Sequence, residues 1–147
     1  MKITICGSIH FNSQALLIKK ELEELKHEVK LWETHIKDDN NNLIPIDEYY
    51  RIRKKSSDND QWVWDRKAEA VREHFNKVNW SDAILVINYD KNNIKGYIGG
   101  NTLMEMGLAF YLKKKIYLLN EIPEISYKEE ILGVKPIVIN NDLKRIS

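Results

Sequence analysis

Two short segments hold the residue types best suited to chemistry. Residues 97–109 read YIGGNTLMEMGLA, so Gly99 and Gly100 precede Asn101, Thr102 and Glu105. Paired glycines let a backbone approach a ligand closely. Glu105 falls in the first turn of a predicted helix, where a carboxylate can point into a cleft. The same spacing fits a T-x-x-E capping box, in which the glutamate only returns a hydrogen bond to the helix start. Gly107, inside the helix, costs ~1 kcal/mol against alanine and implies close packing of that helix. The second segment is CGSIH at 6–10. Gly7 permits a sharp turn, Ser8 offers a hydroxyl to a phosphate or sugar, and Ile9 and His10 lead into a helix whose unpaired N–H groups favour an anion. The plain alternative is a strand-to-helix turn. G-x-G-x-x-G is absent, so there is no dinucleotide fingerprint. Asn88, after the apolar run AILVIN, is placed to bond a sugar hydroxyl or base edge, or to fix the loop that follows.

These segments need a frame that brings them together. KITIC (2–6), EVKLW (28–32), AILVIN (83–88), IYLL (116–119) and PIVI (136–139) read as strands. Helices are expected at about 14–27 with Ser13 as cap, at 61–78, at 102–113 and near 127–132. In the second of these, Trp64, Ala68, Val71, Phe75 and Val78 form one apolar stripe, and Ser81-Asp82 ends the helix. Strands alternating with helices imply right-handed crossovers and a parallel sheet. The expected fold is therefore α/β: a flavodoxin-like or Rossmann-like three-layer sandwich with five parallel strands in order 2-1-3-4-5. Ligands bind such sheets at the carboxyl ends of the strands, near the switch point. Residues 34–60, with DDNNN, Pro45 and SSDND, read as a long, partly ordered excursion with one helical turn near Asp47–Arg53.

The 147 residues fit one domain, 1–147. With 43% apolar and 31% charged residues the composition is that of a globular protein. Net charge is +1 and the charges are interspersed, which argues against polymeric nucleic acid or a membrane surface as partner. Cys6 is the one cysteine, so no internal disulfide forms and a cysteine-based metal site is not expected. MKITICGSI reads as a strand rather than a signal peptide. A cytoplasmic protein without cofactor or metal is the expectation.

CGSI after the first strand, then SDAILVIN, then a glycine-rich loop into MEMGLA before KKIYLL, resembles the nucleoside 2-deoxyribosyltransferase family and its hydrolytic relatives, the 2'-deoxynucleoside 5'-phosphate N-hydrolases. The likeness covers residues 1–12 and about 68–120; the excursion at 34–60 has no counterpart. It implies cleavage or transfer of an N-glycosidic bond in a nucleoside or nucleoside 5'-monophosphate. Glu105, opening E-x-G-x-A, matches the nucleophile, and Ser8 matches the hydroxyl that meets a 5'-phosphate. Double displacement at an anomeric carbon would follow, as in retaining glycosidases. The partner is then a small nucleoside or nucleotide, and a homodimer or higher homo-oligomer is expected because family sites are often completed by a neighbouring subunit.

The chain departs from that pattern at three places. His74 stands where the family has an aspartate, eight before Asp82; a histidine can act as acid or base near neutral pH, or simply pack on the apolar side of its helix. Gly99 replaces an acidic residue six before the nucleophile, and His10 replaces an arginine of the hydrolases. Trp62, Tyr49, Tyr50 and Tyr97 are candidates to stack on a base, with Trp62 freer than Trp64, which belongs to the apolar stripe. Lys128 is a weaker candidate for a phosphate. The alternative function is a non-catalytic nucleotide-binding or sensing domain, with Glu105 kept as a cap or hydroxyl acceptor. A flavin-binding reading is weaker, because the first loop lacks a Ser/Thr-rich phosphate cradle.

Overall fold

The computed structural model describes residues 1–147. Its main sheet has five strands: β1 (Lys2–Cys6), β2 (Glu28–Lys30), β5 (Ala83–Val86), β6 (Lys115–Leu118) and β7 (Ile137–Val138). Their order is β2-β1-β5-β6-β7 and every pairing is parallel. This is the expected 2-1-3-4-5 arrangement, with β1 and β5 meeting at the switch point.

Alternation along the strands builds two cores, because successive side chains leave a strand on opposite faces. Ile3, Ile5, Leu85, Ile87 and Leu119 point to one face, where Ala15, Ile18 and Leu22 of α1 (Asn12–Glu24) cover them with Leu143 and Ile146. Cys6, Ile84, Val86, Ile116 and Leu118 point to the other. There Val78 of α3 (Gln61–Trp80), Met106 and Ala109 of α4 (Gly100–Tyr111), and Ile131 of α5 (Lys128–Gly133) cover them. Cys6 therefore faces the same layer as Glu105.

The region 34–60 is more ordered than expected. It holds an antiparallel hairpin, β3 (His35–Lys37) with β4 (Leu43–Pro45), followed by a ten-residue helix, α2 (Ile46–Lys55). The DDNNN run makes the hairpin turn: Asp38 accepts from the amides of Asn40 and Asn42 at 2.9 Å each. In α2 the acids Asp47 and Glu48 occupy the first turn and Arg53, Lys54 and Lys55 the last, matching the helix dipole. Ile46 and Tyr49 bury against Val63 in a satellite core, and the Tyr49 hydroxyl donates to the Val63 carbonyl at 2.6 Å.

The buried stripe of α3 is rotated by about one residue from the expected one. Val63, His74 and Val78 are buried, while Ala68 is exposed. The reason is that α3 faces both the sheet and α2, so Val63 is needed against Tyr49. Strand ends also fall short of the apolar runs; Ile87 and Asn88 are buried beyond the end of β5.

Candidate functional site

At the carboxyl edge of β1 and β5 lies a cleft of about 480 Å³. The first loop supplies Gly7, Ser8 and Ile9; the start of α4 supplies Gly99, Gly100, Asn101 and Thr102. These seven predicted residues converge from segments ninety residues apart, as the switch-point rule requires. Gly7 allows the close approach: a Cβ there would stand 2.7 Å from Cγ1 of Ile87. A 3₁₀ turn over Ile9–Phe11 follows, with the Ser8 hydroxyl accepting from the His10 amide at 3.2 Å. α1 begins at Asn12 without a side-chain cap, so Ser13 does not serve as one.

Glu105 is 2% exposed and does not itself line the cleft; it lies behind the wall, one helical turn beyond the lining residue Asn101 on α4. The capping box does not form: α4 starts at Gly100, Gly99 is its N-cap with no side-chain bond, and Glu105 lies in the second turn. One helical turn back, the Asn101 amide meets the Glu105 carboxylate at 3.5 Å, while the Asn101 carbonyl oxygen is buried without a partner. Glu105 Oε2 lies 3.8 Å from His74 Nε2, and the Cys6 sulfur is 3.7 Å from the same nitrogen. Burial pushes the Glu105 carboxyl up to about 8, although Lys67 and the Cys6 thiol pull it down. Burial, then the Glu105 charge, raise the Cys6 thiol well above its usual range.

His74 is buried, and its Nε2 lies 3.0 Å from the Ile5 carbonyl. A carbonyl only accepts, so Nε2 carries the ring proton and donates it there. Burial, then the charge of Lys77, lower His74 to about 4. Between about pH 4 and 8 both His74 and Glu105 are thus mostly neutral, and their 3.8 Å approach is not an ion pair. Cys6, His74 and Glu105 bring three ligand-type atoms within 4.8 Å of one another. The nitrogen that Cys6 and Glu105 approach, Nε2, carries its proton to Ile5, so the lone pair a metal would need is on Nδ1 instead.

On the other wall Tyr50 and Tyr97 are among the expected aromatics, but its cations were not expected. Lys67 reaches it from α3, two turns before His74 on the same face. Burial, then the charge of Arg53, lower Lys67 to about 8, with Glu105 acting the other way. Lys91 donates to the Ser8 hydroxyl at 2.9 Å and to the Tyr50 hydroxyl at 2.8 Å. Tyr50, Arg53 and Lys54 come from α2, and Trp64 and Tyr97 complete the wall. Lys67 had a signal in its seven-residue spacing from His74. Lys91 had none, since it meets Ser8 across 83 positions.

Several predicted residues lie elsewhere. Asn88 is buried and fully used: its amide donates to the carbonyls of Asn120 and Glu121 at 3.1 and 3.0 Å, and its oxygen accepts from the Asn120 amide at 2.9 Å. It fixes loops and does not line the cleft. His10 is exposed, with its ring 6.5 Å from that of Tyr50, outside the wall. Trp62 packs against Tyr49 at 6.3 Å, so Trp64, not Trp62, reaches the cleft. Lys128 bonds Glu124. Asp82 accepts from the Lys2 amide at 2.8 Å, a structural role. A wider depression of about 840 Å³, lined by Asp90, Glu121 and Glu124 among asparagines, lies over the ends of β6 and β7, away from Glu105.

Fold and site together define a three-layer α/β protein with a cleft of mixed aromatic and cationic walls at the carboxyl edge of its sheet. No helix is long and apolar enough to cross a membrane. No family pattern and no curated protein matches the chain. Among solved structures, it is similar to the 2-deoxyribosyltransferase of Bacillus psychrosaccharolyticus, at 15% identity over 81% of this chain and 72% of that one, with a TM-score of 0.47. It is also similar to the CMP N-glycosidase BcmB of Clostridium botulinum, at 17% identity over 95% and 90%, TM-score 0.46. A conserved protein from Enterococcus faecalis V583 matches at 14% identity over 90% and 72%, TM-score 0.43.

Proposed function

We propose that this protein cleaves or transfers the N-glycosidic bond of a (deoxy)nucleoside or nucleoside 5'-monophosphate, with Glu105 as nucleophile. The observation that carries the reading is one buried carboxylate directly behind the wall of a nucleotide-sized cleft, joined to it through Asn101, under the charge of Lys67 and clear of its own helix-start amides. The E-x-G-x-A motif that opens at Glu105 supports it.

A Glu105 oxygen attacks C1' of the sugar as the bond to the base nitrogen breaks. The electron pair leaves with the base, which takes up a proton. Water, or a second base, then adds to C1' and frees the carboxylate. Ionisation of Glu105 limits the first step: with the carboxyl at about 8, roughly a tenth is charged at pH 7. Lys67 is the counter-charge that favours the reactive form. Substrate must displace the Asn101 amide from Glu105, and the unpartnered Asn101 oxygen is then free to accept a sugar hydroxyl. His74 is a positioning residue here: neutral, tied to Ile5, it packs beside Glu105 and supplies no charge. The group that protonates the leaving base comes from the cleft or from water.

A second reading, nucleotide binding without turnover, is favoured by the near-complete burial and protonation of Glu105 at neutral pH. One screen separates the two. Nucleosides and 5'-monophosphates are incubated with the protein and free base is measured by chromatography, with Glu105→Ala as control. Base release lost in the variant is expected; binding without release, or release undiminished by the substitution, overturns the nucleophile assignment.

A further inference from the structure

The α2 segment, which the family resemblance does not account for, brings charge to the cleft out of proportion to the rest of the chain. The chain has 23 basic and 22 acidic residues. Yet the cleft wall holds Arg53, Lys54, Lys67 and Lys91 and no aspartate or glutamate. None of the four takes part in an ion pair. Three of them surround one ring: Lys54 Nζ stands 5.1 Å from the Tyr50 centroid, and Arg53 Cζ and Lys91 Nζ 5.2 Å each. They therefore lie within about 10 Å of one another, the Debye length at 0.1 M salt. Like charges this close repel, and the crowding is visible in Lys67, which Arg53 and Lys54 help to depress.

We propose that the cleft takes a nucleoside carrying more than one phosphate, with the first at Ser8 and Lys91 and the further phosphate on Arg53 and Lys54. This rests on the N-glycosidic reading of the same cleft and extends it to a substrate class. Charge counting supports it. Lys67 is set against Glu105 once that carboxyl ionises, and is left out of the count. A single phosphate brings a charge of about −1.5 to −2, which Lys91 and one further cation neutralise. The other α2 cation then has no counter-charge until a second phosphoryl group arrives. Geometry agrees, since only Lys91 is bonded to Ser8, at 2.9 Å, whereas Arg53 and Lys54 hang from the last turn of α2. An arginine there suits bidentate binding of phosphate oxygens.

The test is calorimetric titration of the whole protein with inorganic phosphate and inorganic pyrophosphate, then with the 5'-mono- and 5'-diphosphates of one nucleoside. Wild-type protein should bind pyrophosphate at least about tenfold more tightly than phosphate, the worth of one charge-assisted contact. Arg53→Gln combined with Lys54→Gln should bring that ratio to within about twofold; both side chains are away from the core, so the melting temperature reports that the fold persists. A wild-type ratio near one, or a ratio the double variant leaves intact, overturns the proposal. Repeating the titration on Glu105→Gln separates it from the catalytic reading. A pyrophosphate preference with no base release from any nucleotide sinks the glycosidase and leaves the polyphosphate cleft. Base release with no such preference does the reverse.

Discussion

Replacing Glu105 by glutamine keeps the side-chain shape and removes the ionisable group. In the folded protein this carboxyl sits at about 8, against 4.5 for an exposed glutamate, because burial penalises its charge and Lys67 only partly compensates. Between those values the folded chain keeps a proton that the unfolded chain has lost. Stability therefore falls as pH rises, by up to about 1.4 kcal/mol per pH unit, and the advantage present below pH 4.5 is gone once pH passes about 8. His74 has the opposite sign: lowered from 6.5 to about 4, it favours the folded state above 6.5 and loses that contribution as pH falls through 4. The window from about pH 6.5 to 8 thus isolates Glu105 from His74. Urea unfolding of both proteins at the two ends of that window should show the stability of Glu105→Gln, relative to wild type, rising by about 1–2 kcal/mol. A difference that does not change with pH would refute the claim that burial holds Glu105 protonated.

Lys67→Met removes the counter-charge, so the Glu105 carboxyl should rise further and the pH–rate profile for base release should shift to higher pH, with a loss of about tenfold at neutral pH; an unshifted profile removes Lys67 from the account. Asn88→Ala abandons several buried hydrogen bonds that tie three loops together, so a cost of about 2–4 kcal/mol is expected in thermal unfolding. Gly96 has φ +68°, and a Cβ there would stand 2.6 Å from the Glu121 carbonyl oxygen. Gly96→Ala should therefore cost about 1–3 kcal/mol, and a neutral result would mean the loop accommodates it. Tyr49→Phe, which strands the Val63 carbonyl, should cost about 1 kcal/mol and loosen α2, read as faster amide exchange over 46–55.

The sheet was legible because its strands are unbroken apolar runs such as AILVIN, buried on both faces and flanked by polar turns. Gly7, Ser8 and Gly99–Thr102 were legible because strand order alone brings the ends of β1 and β5 together. Of the α2 wall, Tyr50 was legible as an aromatic able to stack on a base, but the cations and the full helix were not. IDEYYRIRKK is mostly polar, and its order comes from Tyr49 and Ile46 meeting Val63, a contact with no local trace. That same contact turned α3, so the tryptophan expected in the core faces the cleft and the one expected to be free packs on Tyr49. The capping spacing at Thr102–Glu105 was misleading because α4 begins two residues earlier, at Gly100. Asn88 has the chemistry of a ligand contact, and only its partners in the loops after β6 reveal that its bonds are already made.

The proposed reaction turns on a covalent bond between Glu105 and a sugar carbon. Protein that has been incubated with a cleaved nucleotide, acid-quenched and digested should show, by mass spectrometry, a peptide spanning Glu105 that is heavier by one (deoxy)ribosyl unit, with or without its phosphates. Glu105→Gln protein should not show it. Base release that proceeds at the wild-type rate in Glu105→Gln, or an adduct found on another residue, would contradict the account.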